Sequence, residues 1–80
     1  MEQRAVMAVQ IDHRSTHAPE VQEILTRFGC LIEARLGLNR GCEDRGLILL
    51  ELSGDSSDIA QLSQSLSGVE SVSVKTMVLD

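Results

Sequence analysis

The stretch "GLILLELSGDSSDIAQLSQSLSGVESVSVKTMVL", residues 46–79, decides the fold, because it contains the patterns of a strand, a helix and a strand in direct succession. Residues 46–53 are apolar on both faces, which is typical of a strand in the middle of a sheet. Asp55 or Ser56 can cap the helix that follows, and Gly68 predicts its end. The buried stripe of that helix is expected to consist of Ile59, Leu62 and Leu66.

Alternating apolar residues predict a strand at each end of the chain. Residues 5–12 are expected to form the first strand, one face of which is strongly apolar, and residues 69–79 the last strand. The inward residues of the first strand are Ala5, Met7, Val9 and Ile11. Those of the last strand are Val72, Val74, Thr76 and Val78.

A helix and a further strand are predicted between residues 19 and 38. Pro19 suits the first position of a helix, because its missing N–H would have no partner there, and Gly29 predicts the end of that helix. The helical stripe is Val21, Ile24, Leu25 and Phe28. From Cys30 the apolar residues recur at every second position, which is typical of a strand. Its inward face is expected to carry Cys30, Ile32, Ala34, Leu36 and Leu38, and its other face Glu33, Arg35 and Gly37.

The resulting order is β-α-β-β-α-β, which predicts one α+β domain over residues 1–80 with the ferredoxin-like arrangement: a four-stranded antiparallel sheet and two helices on one face. The opposite face would then mix apolar and charged side chains. It is either a solvated surface or an interface between copies, and we prefer the interface because a small domain gains most from further burial. The predicted interface residues are Glu33, Arg35, Leu47, Leu49, Glu51, Lys75 and Met77, in a dimer or tetramer.

Composition excludes several classes of function. The formal charge is −5, from 7 basic and 12 acidic side chains, which opposes direct binding to nucleic acid or to an anionic membrane. The one aromatic residue, Phe28, belongs to a helix stripe, so the open face lacks the stacking rings of an RNA-recognition module. The charged start "MEQR" leads into a strand-like segment, so we expect a cytoplasmic protein with reduced thiols.

Three segments resemble a family of short proteins named as iron-only hydrogenase system regulators, which have an ACT-like ferredoxin fold. They are "IEARLGL" (32–38), "RGLILLELSGDSSDIAQLSQSL" (45–66) and "SGVESVSVKT" (67–76). Arg35 and Gly37 stand in the places of the family's Arg-x-Gly, and the third segment resembles its Gly-Val, Val-Lys-Ser/Thr ending. The resemblance implies a regulatory domain rather than an enzyme. By the same analogy, a small-molecule effector would bind at the strand-to-helix turn, at Asp12, His13 and Arg14.

The segment "LGLNRGCEDRG" (36–46) is the main candidate for other chemistry, because it places Cys42 among charged side chains. Cys42 with His13 and His17 at a subunit boundary gives the alternative function, a metal- or thiol-redox-responsive protein. The chain also resembles, more distantly, the sensing domain of the nickel-responsive repressor. Leu38, Arg40 and Gly46 fall where that domain has its metal donors, so no metal site is expected, and no motif indicates catalytic residues.

Overall fold

A computed structural model describes residues 1–39 and 43–80, apart from the side chain of Asn39. The strands are β1 (Glu2–Asp12), β2 (Ile32–Asn39), β3 (Arg45–Asp55) and β4 (Val72–Val78). The helices are α1 (Arg14–Arg27) and α2 (Ser56–Ser67), and a short 3₁₀ turn, Gly29–Leu31, precedes β2. The four strands form an antiparallel sheet in the order β2-β3-β1-β4. The predicted α+β fold is confirmed.

One face of the sheet carries the hydrophobic core and is covered by the two helices. Alternate residues of β1 and β3 point into this core, because successive side chains of a strand lie on opposite faces. The α2 stripe predicted from the sequence is buried, and Asp55 occupies its N-cap position. The buried core is formed by Ala5, Met7, Val9, Ile11, Val21, Ile24, Leu25, Leu31, Ile48, Leu50, Leu52, Ile59, Leu62, Leu66 and Val69.

The predicted start of α1 at Pro19 is wrong, since the helix begins at Arg14 and Pro19 lies inside it. The first turn is held from outside the helix by Asp44. Its backbone carbonyl accepts a hydrogen bond from the Arg14 N–H, and its carboxylate accepts one from the Ser15 N–H, each at 2.9 Å. These contacts occupy N–H groups that have no partner within a helix, so the helix extends one turn further toward β1.

The prediction of which β2 side chains face the core is also wrong beyond Ile32. A β-bulge between Ile32 and Ala34 leaves Glu33 without a Cα partner, since Ile32 is opposite Leu52 and Ala34 is opposite Glu51 of β3. From there Ala34, Leu36 and Leu38 share the face of Glu51, away from the helices. Cys30 is exposed in the 3₁₀ turn rather than buried, and Leu31 enters the core in its place.

Candidate functional site

The sheet face that the helices leave uncovered, called here the open face, carries a band of apolar side chains across all four strands. Cα partners in an antiparallel pair share a face, so the register defines the band: Leu36 is opposite Leu49, Leu38 is opposite Leu47, and Met77 is opposite Val6. The band consists of Val6, Ala8, Ala34, Leu36, Leu38, Leu47, Leu49 and Met77. Leu36 is 56%, Leu38 42% and Met77 60% exposed, so a large apolar area meets solvent.

The centre of this band is a shallow groove of about 250 Å³. Val6, Leu36 and Leu49 are among its lining residues, together with Ala34 and Glu51. An apolar depression on a flat sheet offers a place for a side chain from another molecule.

Charged side chains of both signs lie beside the apolar band on the open face. Arg4 lies 3.7 Å from the Glu51 carboxylate, and Lys75 lies on the same face as the Cα partner of Ala8. The same register places Asp12 opposite Arg45 at one end of this face and Glu2 opposite Asp55 at the other, and Glu33 lies in the bulge of β2. Groups of both signs therefore border the apolar band.

The prediction that Arg35 lies on the open face is wrong. Arg35 is the Cα partner of the buried Leu50, and its guanidinium donates a hydrogen bond to the Gln22 side-chain carbonyl of α1. The bulge moves Arg35 to the helix side of the sheet, so Arg4 rather than Arg35 is the partner of Glu51. Of the other predicted interface residues, Leu47, Leu49, Glu51, Lys75 and Met77 share the open face, and Glu33 lies in the bulge beside them.

A second depression, called here the edge cavity, has a volume of about 340 Å³ and lies where β1, β3 and β4 meet at one end of the open face. Asp12, one of the three residues predicted to contact a ligand, forms part of its wall. The cavity also contains Gln10, Ser73, Arg45 and Glu43, which that prediction missed. The Ser73 hydroxyl donates to the Gln10 side-chain oxygen at 3.3 Å, and the Arg45 guanidinium lies 3.2 Å from the Glu43 carboxylate. Hydrogen-bonding groups and charges of both signs therefore surround the cavity.

The structure does not bring Arg14 into the edge cavity with Asp12. The Arg14 side chain lies across Gly46 and lines a separate cavity of about 180 Å³ on the helix side of the sheet. His13 has a left-handed backbone (φ 53°) between the two, and its ring stands 6.5 Å from that of His17. The sequence placed these three residues together, whereas the strand end separates them onto two faces.

Asp44 ties the β2–β3 connection to the start of α1. Besides its contacts with the two N–H groups, its carboxylate accepts a hydrogen bond from the Ser15 hydroxyl at 2.9 Å. The hydrogen bonds from the Ser15 N–H and hydroxyl, with smaller contributions from His13 and Arg14, lower the pKa of the Asp44 carboxyl below its ordinary value. Asp44 adjoins Glu43 and Arg45, so the same contacts position one wall of the edge cavity.

Two predicted features of the β2–β3 connection, Arg40 and Cys42, lie outside the described residues. Among residues 1–39 and 43–80, no group of three His, Cys, Asp or Glu side chains is arranged to hold a metal ion. Neither of the helices described is long and apolar enough to cross a membrane.

Comparison with known proteins gives one family and several structural neighbours. The model of a family described as "TM1266-like: Iron-only hydrogenase system regulator, putative" matches residues 3–76. No curated protein matches the chain. The structure of the uncharacterized protein TM1266 from Thermotoga maritima is similar over 100% of both chains, with 28% sequence identity and a TM-score of 0.94.

Two further structures share the fold at low identity. A formyltetrahydrofolate deformylase from Pseudomonas putida KT2440 matches 92% of this chain with 28% of its own, at 10% identity and a TM-score of 0.63. The apo form of CPII from Thiomonas intermedia K12, a nitrogen regulatory PII-like protein, matches 99% of this chain with 92% of its own, at 13% identity and a TM-score of 0.52. These two likenesses show the fold alone.

Proposed function

This chain belongs to the TM1266-like family, and on that premise we propose that it is a regulatory domain of an iron-only hydrogenase system that acts by self-association through the open face. The family description supports a regulator rather than an enzyme. The observation that carries the self-association is the apolar band across the uncovered side of the sheet.

Burial of this band would stabilise an assembly of two copies. Exposed apolar area contributes about 25 cal/mol per Å² when it leaves water. The three exposed large side chains of the band, Leu36, Leu38 and Met77, lie on the two edge strands β2 and β4, so the band extends across the full width of the sheet.

The edge cavity supplies a means of regulation. Gln10, Ser73 and Leu47 line the cavity and lie on the open face next to the apolar band. A small polar effector bound there would touch both the domain and anything seated on the face. Such an effector changes the degree of assembly only if it binds one state more tightly than the other. Asp12 is the predicted contact that the geometry supports best, and ligand contacts by His13 and Arg14 stay predictions.

The matched pair Met77→Asp and Val78→Asp tests the self-association. These neighbours on β4 are similarly exposed, at 60% and 52%, but Met77 pairs with Val6 on the open face and Val78 pairs with Ala5 on the helix side. Both variants add the same charge at nearly the same place. Sedimentation equilibrium at micromolar concentrations should give a dimer or tetramer for the original chain and for Val78→Asp, and a shift toward monomer for Met77→Asp. A monomeric original chain, or equal effects of the two substitutions, would overturn the proposal.

A further inference from the structure

We propose that two copies stack their open faces about a two-fold axis parallel to the strands, so that Lys75 of each copy pairs with Glu33 of the other. This inference rests on the proposed self-association and specifies its geometry. It commits the open face to one occupant, a second copy of this chain.

The strand order is compatible with this axis. β3 and β1 lie in the middle of the sheet, and β2 and β4 are its edges. An axis running along the strands between β3 and β1 superposes the two sheets completely and sets β2 of one copy opposite β4 of the other. Face-to-face sheets commonly pack in this aligned way, within about 30° of each other and about 10 Å apart. The apolar band of one copy then covers that of its partner.

Lys75 of one copy and Glu33 of the other complement each other in this arrangement. Successive Cα partners across the four strands form a row, and one such row runs from Leu36 through Leu49 and Ala8 to Lys75. Lys75 therefore faces β2 of the partner copy at the position of Leu36. Glu33 lies in the bulge next to Ala34, the neighbouring row, about 7 Å further along the strand. A lysine side chain spans most of that distance through its flexible stem.

Both groups lack a partner within the described part of one chain. Among residues 1–39 and 43–80, no carboxylate lies within 4.0 Å of the Lys75 ammonium and no cation within 4.0 Å of the Glu33 carboxylate. Ala34, next to Glu33, is opposite Glu51, and Arg4 lies between the carboxylates of Glu51 and Asp80, at 3.7 and 3.9 Å. The surroundings of Glu33 therefore contain more carboxylates than cations, and a cation from outside would find opposite charge there.

A perpendicular axis through the row of Lys75 is disfavoured by the same charges. An axis perpendicular to the strands and centred on the row of Leu36, Leu49, Ala8 and Lys75 would also cover the apolar band. It would, however, set each Lys75 opposite the Lys75 of its partner. Like charges placed directly opposite are destabilising, whereas the parallel axis turns the same residue into an attractive contact.

Charge exchange tests the pairing by sedimentation equilibrium. Lys75→Glu and Glu33→Lys should each raise the dimer dissociation constant roughly tenfold or more, because every symmetric dimer contains two such pairs. The double variant should return to within about threefold of the original value. The control variant Lys75→Glu with Glu23→Lys has the same net charge as the double exchange, but Glu23 lies on α1, away from the open face. It should not be restored.

The outcomes separate this geometry from the proposed function. If the double exchange and the control associate equally weakly while Met77→Asp still dissociates the assembly, the open face is the interface and the axis is wrong. If Lys75→Ala tightens association, Lys75 faces a like charge and the axis is again wrong. If no substitution on the open face changes the mass, both proposals fail.

Discussion

Replacement of Leu36 by alanine measures how much the apolar band contributes to association. Leu36 lies at the β2 edge of the band, opposite Leu49, and is 56% exposed in one copy. The core of the single domain therefore depends little on it. An interface over the open face would bury the remaining surface of two such side chains, one from each copy.

The exposed fraction sets the expected size of the effect. Complete burial of a leucine is worth about 1.5–3 kcal/mol, so burying the exposed part of Leu36 contributes roughly 0.8–1.7 kcal/mol in each copy. Alanine retains about a quarter of that apolar surface, so the dimer loses roughly 1.3–2.5 kcal/mol over both copies. The dissociation constant should rise about 10- to 70-fold.

Sedimentation equilibrium over a concentration series measures this change, with Val78→Ala as the control on the helix side of β4. Far-ultraviolet circular dichroism should show the same folded domain for both variants. The reasoning is refuted if Leu36→Ala leaves the dissociation constant unchanged, or if Val78→Ala raises it as much.

Two further predictions concern the domain itself. Asp44→Asn should lower the midpoint of thermal unfolding at pH 7. Because its pKa is lowered in the folded state, Asp44 contributes fully to the free energy of unfolding above the ordinary pKa of 3.8, and this contribution is lost as the pH falls through the folded-state pKa. A difference in the unfolding midpoint between Asp44→Asn and the original chain that persists unchanged at pH 2 would contradict this role. Gly54→Ala should destabilise by about 1–3 kcal/mol, because its Cβ would meet Leu31 Cδ2. In a chain that already carries Leu31→Ala, the same change should cost less in urea unfolding, and equal costs would exclude the contact.

Local patterns predicted the elements whose ends are set by nearby residues. In α2 the cap, the stripe and the terminating glycine all lie within one segment, and the prediction agrees with Ser56–Ser67. The start of α1 was missed because Asp44, 30 residues away in the sequence from Arg14, supplies its capping contacts. Of the ligand contacts predicted from the sequence, only Asp12 lines the edge cavity. Gln10, Arg45 and Ser73 were missed because they come from three strands, and only the sheet register brings them together.

The error in β2 bears directly on the proposed interface. Alternation assigned Ala34, Leu36 and Leu38 to the core, since apolar residues at every second position normally face inward. The extra residue at Glu33 exchanges the two faces of the strand for every side chain that follows it. The core side then receives Arg35 and Gly37, while the leucines face outward on the uncovered side. The outward-facing apolar side chains of β2 are not covered by the helices of their own domain. Their burial stabilises the protein only when another surface covers them. This supports a second copy of the sheet as the missing layer.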